Sequence, residues 1–197
     1  MIVLVFIFKH QKMLYRFSLL LLAVVLLSLA LPEGNKYTIQ KGEVRFTSDA
    51  PLERIQAKSK LLKGVIDMDE RAFAFSLDVS SFEGFNSPLQ REHFNENYLE
   101  TKEFRTATFT GKIIEKDDFT QDGTYSIRTK GKLTVHGISK ERIIKSEVTT
   151  KDGVIHVTSG FTVLLDEHGI AIPKIVYQKI AEEIAVQVEA DFVPMQR

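Results

Sequence analysis

Tyr125-Ser126-Ile127-Arg128-Thr129-Lys130-Gly131-Lys132-Leu133-Thr134-Val135-His136 alternates without a break. Tyr125, Ile127, Thr129, Gly131, Leu133 and Val135 put apolar or small groups on one face, and the residues between them are polar. Successive side chains of an extended strand point to opposite faces, so this is a strand with one wet face. The same period returns at Phe73, Phe75, Leu77 and Val79, and again at Ile184, Val186 and Val188. An all-β chain follows, and one wet face favours antiparallel pairing.

Turn signals separate these runs: Lys63-Gly64, residues 67–71, Asp117-Asp118, residues 121–123, His136-Gly137, Asp152-Gly153 and residues 167–169. Asp122-Gly123 and Asp152-Gly153 predict tight hairpins, because glycine accepts the positive φ such turns require. The strands between are long, and long antiparallel strands expose unpaired edges unless the sheet closes. A closed barrel is therefore expected. Two segments break the period. Residues 87–99 carry Ser87 as a cap, Pro88 behind it and apolar Leu89, Phe94, Tyr98 and Leu99, which predicts a short helix. Residues 173–180 suggest a second helical turn.

Lysine plus arginine and aspartate plus glutamate both number 26, so no net field draws the chain to nucleic acid. The chain has no cysteine, which excludes disulfides, thiolate metal sites and a cysteine nucleophile. Residues 17–31 are apolar or small and uncharged, behind Lys9, His10, Lys12 and Arg16. That is a secretory signal peptide, residues 1–30, with cleavage expected after Ala30 and a folded domain over residues 31–197. An uncleaved anchor is the alternative, as is initiation at Met13.

Arg91-Glu92-His93-Phe94, then Glu103-Phe104 and Phe109, resembles the helix and following strand of the YceI-like family. Gly131-Lys132-Leu133-Thr134-Val135-His136-Gly137 is similar to that family's G-x-L-T-apolar-H-G strand end, and Phe161 to Gly169 followed by Ile172-Pro173 continues the likeness. It spans residues 37–194. Arg105 departs from it, standing where the family usually has proline, and Val44 to Asp49 lacks the histidines of many relatives. The resemblance implies a closed, antiparallel, eight-stranded, lipocalin-like barrel with one or two short helices, periplasmic or secreted, enclosing a polyisoprenoid or similar apolar chain.

A barrel of that size either packs its own side chains or holds one slim ligand. The expected ligand-binding interior comprises Phe46, Phe73, Phe75, Leu77 and Phe109 from the first half of the chain. From the second half it takes Ile127, Thr129, Gly131, Leu133, Phe161, Val163, Val186 and Val188. Thr129, Gly131 and Ala190 are small residues among large ones, which would mark a channel. Leu89, Phe94 and Tyr98 on the helical segment are the expected way in.

No histidine has a second one at ligand spacing, and no P-loop, dinucleotide fingerprint or catalytic serine motif occurs. No metal or cofactor is therefore expected apart from a bound isoprenoid or other lipid. His136 reads as a turn residue. His93 with Glu92 and Asn95 is the only cluster resembling catalytic machinery, and the chain reads as a non-enzyme. The leading expectation is a carrier of an isoprenoid, quinone-like or fatty chain. The alternative is a solidly packed barrel acting as an interaction or stress-response partner of a membrane redox system, and the third is a lipid-modifying enzyme. The expected partners are one lipid-like small molecule, a transient membrane contact and no nucleic acid, with the protein a monomer or homodimer.

Overall fold

A computed structural model describes residues 35–195; the expected signal peptide at residues 1–30 lies outside them. Nine strands form one antiparallel sheet: β1 (Lys36–Asp49), β2 (Arg54–Ser59), β3 (Lys63–Asp67), β4 (Ala72–Asp78), β5 (Thr106–Ile113), β6 (Gly123–Val135), β7 (Ile138–Lys151), β8 (Val154–Leu164) and β9 (Glu183–Pro194). From β3 onward each strand pairs with the next, and β9 returns to pair with β1. The sheet closes, which removes the free edges that long strands would otherwise present.

β2 and β3 share one edge of β1. Val44 faces Ser59 and Tyr37 faces Ile66, so seven steps along β1 match seven steps across both short strands. Together they are one barrel strand interrupted at residues 60–62, and the nine strands occupy eight positions. At the interruption β1 has a register shift against β9 between Ile39 and Lys41. An extra residue on one strand bends a sheet locally, and Leu62 packs over Gly42, where a Cβ would meet it at 3.1 Å.

The alternation of β6 holds: Ile127, Thr129, Gly131 and Leu133 are buried while Ser126, Arg128, Lys130 and Lys132 face water. Asp152-Gly153 forms the expected two-residue hairpin with φ of +52° and +76°, and His136-Gly137 makes a second with +50° and +71°. Asp122-Gly123 does not. Gly123 opens β6, and the connection from β5 occupies residues 114–122. The reason is Phe119, which enters the end of the barrel until it is 3% exposed, while its carbonyl accepts a hydrogen bond from Thr150 Oγ1 at 2.6 Å. Burying one phenylalanine outweighs the compactness of a tight turn.

Phe119 joins Tyr37, Ile66, Phe73, Ile155 and Phe192 in a packed floor. The opposite end is covered by two irregular segments. The first contains α1 (Pro88–His93), capped by Ser87, whose Oγ accepts from the Gln90 amide at 3.1 Å. It continues as a π turn over Phe94–Tyr98. The second, residues 165–182, contributes only single turns, one of them Lys174–Val176 where helix was expected. β7 and β8 pair from Ser146 and Ser159 toward their hairpin and not beyond. His168 packs against the unpaired part of β7, its Nδ1 donating to the Ile138 carbonyl at 3.0 Å, and Glu167 ion-pairs with Arg142. No helix among the described residues is long and apolar enough to cross a membrane.

Candidate ligand cavity

Above the floor the barrel is hollow. The cavity measures about 590 Å³ and is lined almost wholly by apolar side chains from every strand and both covering segments. That volume lies in the range of small-molecule sites, roughly 300 to 1,000 Å³. Period-two alternation explains the lining, because each strand sends every second residue inward.

The expected interior residues come together here, with one exception. Phe46, Phe73, Phe75, Leu77 and Phe109 line one side, and Ile127, Thr129, Leu133, Phe161 and Val163 the other. Val186, Val188 and Ala190 complete the wall on β9. Gly131 is the exception. It faces Gly111 across the β5–β6 ladder, and a Cβ on it would stand 2.4 Å from the Thr110 carbonyl oxygen and 3.0 Å from the Phe109 ring. Gly131 is therefore a point of close backbone approach rather than a gap in a channel. Thr129, also read as a gap, turns its Oγ1 to the Ile144 carbonyl at 3.2 Å, which satisfies the hydroxyl inside an apolar wall.

At the mouth, Phe94 stands on the π turn among three rings: Phe46 stacks at 5.4 Å, Phe85 lies at 5.0 Å and Phe82 meets it edge-on at 5.9 Å. Leu89 and Tyr98 line the cavity beside it, and burial raises the Tyr98 phenol above its ordinary value of 10.0. Phe82, Phe85, Leu62, Val176 and Ile180 also line the space and were not among the expected residues. These five lie outside the regular strands, where no alternation marks a direction; Val44, Ile55, Ile66, Ile144, Val157 and Phe192 lie on strands, line the cavity as well and were also not among the expected residues.

The ends of β4 and β5 are tied where the covering segment begins and ends. Asp78 accepts from the Ser80 hydroxyl at 2.6 Å and from Arg105 Nε at 2.8 Å. Those contacts, Ser80 foremost, hold the Asp78 carboxyl below its ordinary value. Arg105 thus supplies a charged tie between neighbouring strands. On the other side Glu100 reaches His136, and His136 reaches the His168 carbonyl at 3.1 Å.

The cluster at His93 is not assembled as catalytic machinery. His93 lines the mouth, whereas Asn95 donates its amide to the Arg91 carbonyl. Glu53, half-buried on the opposite lip, accepts from Gln90 Nε2 at 3.0 Å. Among the described residues no group of three histidine or carboxylate side chains is placed to hold a metal.

The sequence model of the YceI-like domain matches residues 37–192, which is all of the barrel but its outermost residues. The chain belongs to the YceI-like family. No curated protein matches the sequence. Among solved structures, this YceI-like barrel superimposes on a polyisoprenoid-binding domain from Saccharophagus degradans, implicated in plant cell wall breakdown, with a TM-score of 0.71. Identity is 13%, over 81% of this chain and 98% of that one. Burkholderia cenocepacia BcnA follows at 0.64 and 14% identity, covering 76% of this chain and 95% of BcnA. A Campylobacter jejuni YceI protein matches at 0.52 and 16%, over 67% and 78%. These likenesses establish the YceI-like fold.

Proposed function

We propose that this YceI-like protein is an exported carrier that holds one long apolar molecule, an isoprenoid, quinone-like or fatty chain, inside the barrel. The observation that carries this is the hollow apolar interior above a packed floor. A closed floor and a covered mouth suit a chain inserted tail-first from one end. Each methylene moved out of water contributes about 0.8 kcal/mol, so roughly 5 to 19 carbons offset an association cost of about 4 to 15 kcal/mol. The polyisoprenoid binding ascribed to the Saccharophagus degradans domain supports the same class of ligand. A filled barrel serving as an interaction partner would need side chains where the cavity lies. Among the described residues His93 and Glu53 stand at the mouth rather than in the apolar wall, which supports binding over catalysis.

The test is denaturing extraction and mass spectrometry of the protein from its own host. About one long apolar molecule per barrel is expected. A protein that extracts clean and also ignores a fluorescent isoprenoid analogue would refute the carrier function. Export is checked by amino-terminal sequencing, which should find the mature chain beginning near Leu31.

A further inference from the structure

Four large apolar side chains face water around the mouth: Leu52 is 66% exposed, Leu89 58%, Ile175 91% and Tyr177 64%. They belong to three segments that hydrogen bonds draw together. The Leu52 amide donates to the Gln178 carbonyl at 2.8 Å, and Glu53, next to Leu52, accepts from Gln90, next to Leu89. Val176, between Ile175 and Tyr177, turns into the cavity, as does Ile180. The apolar surface therefore runs from the cavity wall over the lip to the outside. Single exposed apolar residues are ordinary, but a cluster continuous with a binding cavity is not.

The charges on residues 173–180 have one sign. Residues 173–180 carry Lys174 and Lys179 and no carboxylate. The nearest acid on the facing loop, Glu53, is turned toward Gln90 and Asn86. Glu182 and Glu183 follow only where the chain re-enters the sheet at β9.

Resting on the carrier function, we infer that this lip is a docking surface for a phospholipid bilayer. Ile175, Tyr177, Leu52 and Leu89 enter the headgroup region, and Lys174 and Lys179 meet lipid phosphates. Long lysine stems lie along apolar surface while their ammonium groups stay wet, and tyrosine favours the membrane–water boundary. A second copy of the chain fits less well, since a two-fold contact through this lip would bring the same lysines together. Docked this way, the mouth faces the membrane, and an apolar chain passes from bilayer to barrel without crossing water.

The chain contains no tryptophan, so one introduced residue reports its own surroundings. Full-length protein carrying Ile175→Trp is compared with Val154→Trp, at the floor end beside the β7–β8 hairpin. Vesicles of phosphatidylglycerol and phosphatidylethanolamine, with brominated acyl chains, serve as the probe. Tryptophan at 175 should shift to the blue and be quenched several-fold more than at 154, and added salt or Lys174→Glu with Lys179→Glu should weaken the quenching. Equal quenching at both positions, none at 175, or a dimer that shields position 175 without vesicles would overturn the proposal. Uptake of a fluorescent isoprenoid analogue, read in the same samples, separates the two claims. Quenching lost with uptake intact overturns the lip alone, and loss of both overturns the lip and the carrier function together.

Discussion

Glu100 and His136 hold one another at the mouth, Oε2 to Nε2 at 2.7 Å, and both residues have left-handed backbone, φ +42° and +50°. Glu100 belongs to the segment that follows the π turn, and His136 sits in the hairpin between β6 and β7. The other ring nitrogen of His136 faces the His168 carbonyl, so one imidazole joins both segments that cover the barrel. A carboxylate and a carbonyl only accept hydrogen bonds. The ring satisfies both only when both nitrogens carry protons. One hydrogen bond contributes about 0.5 to 1.5 kcal/mol and left-handed backbone costs about 1 to 2 kcal/mol per residue, so the contact serves position more than stability.

His136→Ala should therefore speed exchange of a fluorescent isoprenoid analogue while changing the melting temperature little. Glu100→Gln keeps the reach of the side chain but removes its charge, and should speed exchange less than His136→Ala does. Unchanged exchange in His136→Ala would show that the contact does not hold the cover closed.

Gly131→Ala and Ala107→Phe should separate packing from binding. The first places a methyl against the Thr110 carbonyl and should destabilise by about 2 kcal/mol or more in chemical denaturation. Ala107 lines the cavity near the mouth, so phenylalanine there should fill space, lowering analogue affinity while the barrel stays folded. Equal loss of stability in both would contradict the hollow interior.

Phe94→Ala removes the ring that Phe46, Phe82 and Phe85 surround. Each aromatic pair contributes about 0.5 to 1.5 kcal/mol, and the loss falls on the covering segment. Hydrogen exchange over residues 88–101 should accelerate several-fold more than over the floor strands, together with ligand release. Uniform acceleration would mean that the segment and barrel open as one unit.

His168 is fully buried, and its Nε2 has no hydrogen-bond partner. Burial, with help from Arg142 and Lys140, holds its pKa below the ordinary 6.5, against the pull of the Ile138 and Val135 carbonyls. Above 6.5 the ring is neutral whether the chain is folded or not. Below it the unfolded chain takes up the proton first, so folding stability should fall until the pH reaches the folded-state value. His168→Gln should remove this part of the pH dependence in denaturant titrations from pH 7 to 5. An unchanged slope would place the titration elsewhere.

The cavity wall was legible on β4 and β6, and not on β7, where Ile143 and Ile144 adjoin and only the fold turns the second one inward. Phe73, Phe75 and Leu77 or Ile127, Leu133 and Val135 announce their direction by spacing, since period two is a property of extended backbone itself. Ser87 and Pro88 likewise announce the helix, because capping is local. Gly131 was misread because a glycine in a strand marks either a void or a close backbone, and only the opposing Gly111 decides between them. Asp122-Gly123 was misread because its local turn preference yielded to the distant burial of Phe119.

From its sequence alone this chain is an antiparallel β protein with a recognisable YceI-like pattern and a fixed inward set on β4 and β6. Those properties depend on backbone period and on residues close in the chain. Whether the barrel is hollow depended on closure. β9 had to pair with β1, Phe119 had to plug one end, and Glu100 had to meet His136 across 36 residues of sequence. Volume is set by how separate elements approach one another, and no local period encodes it.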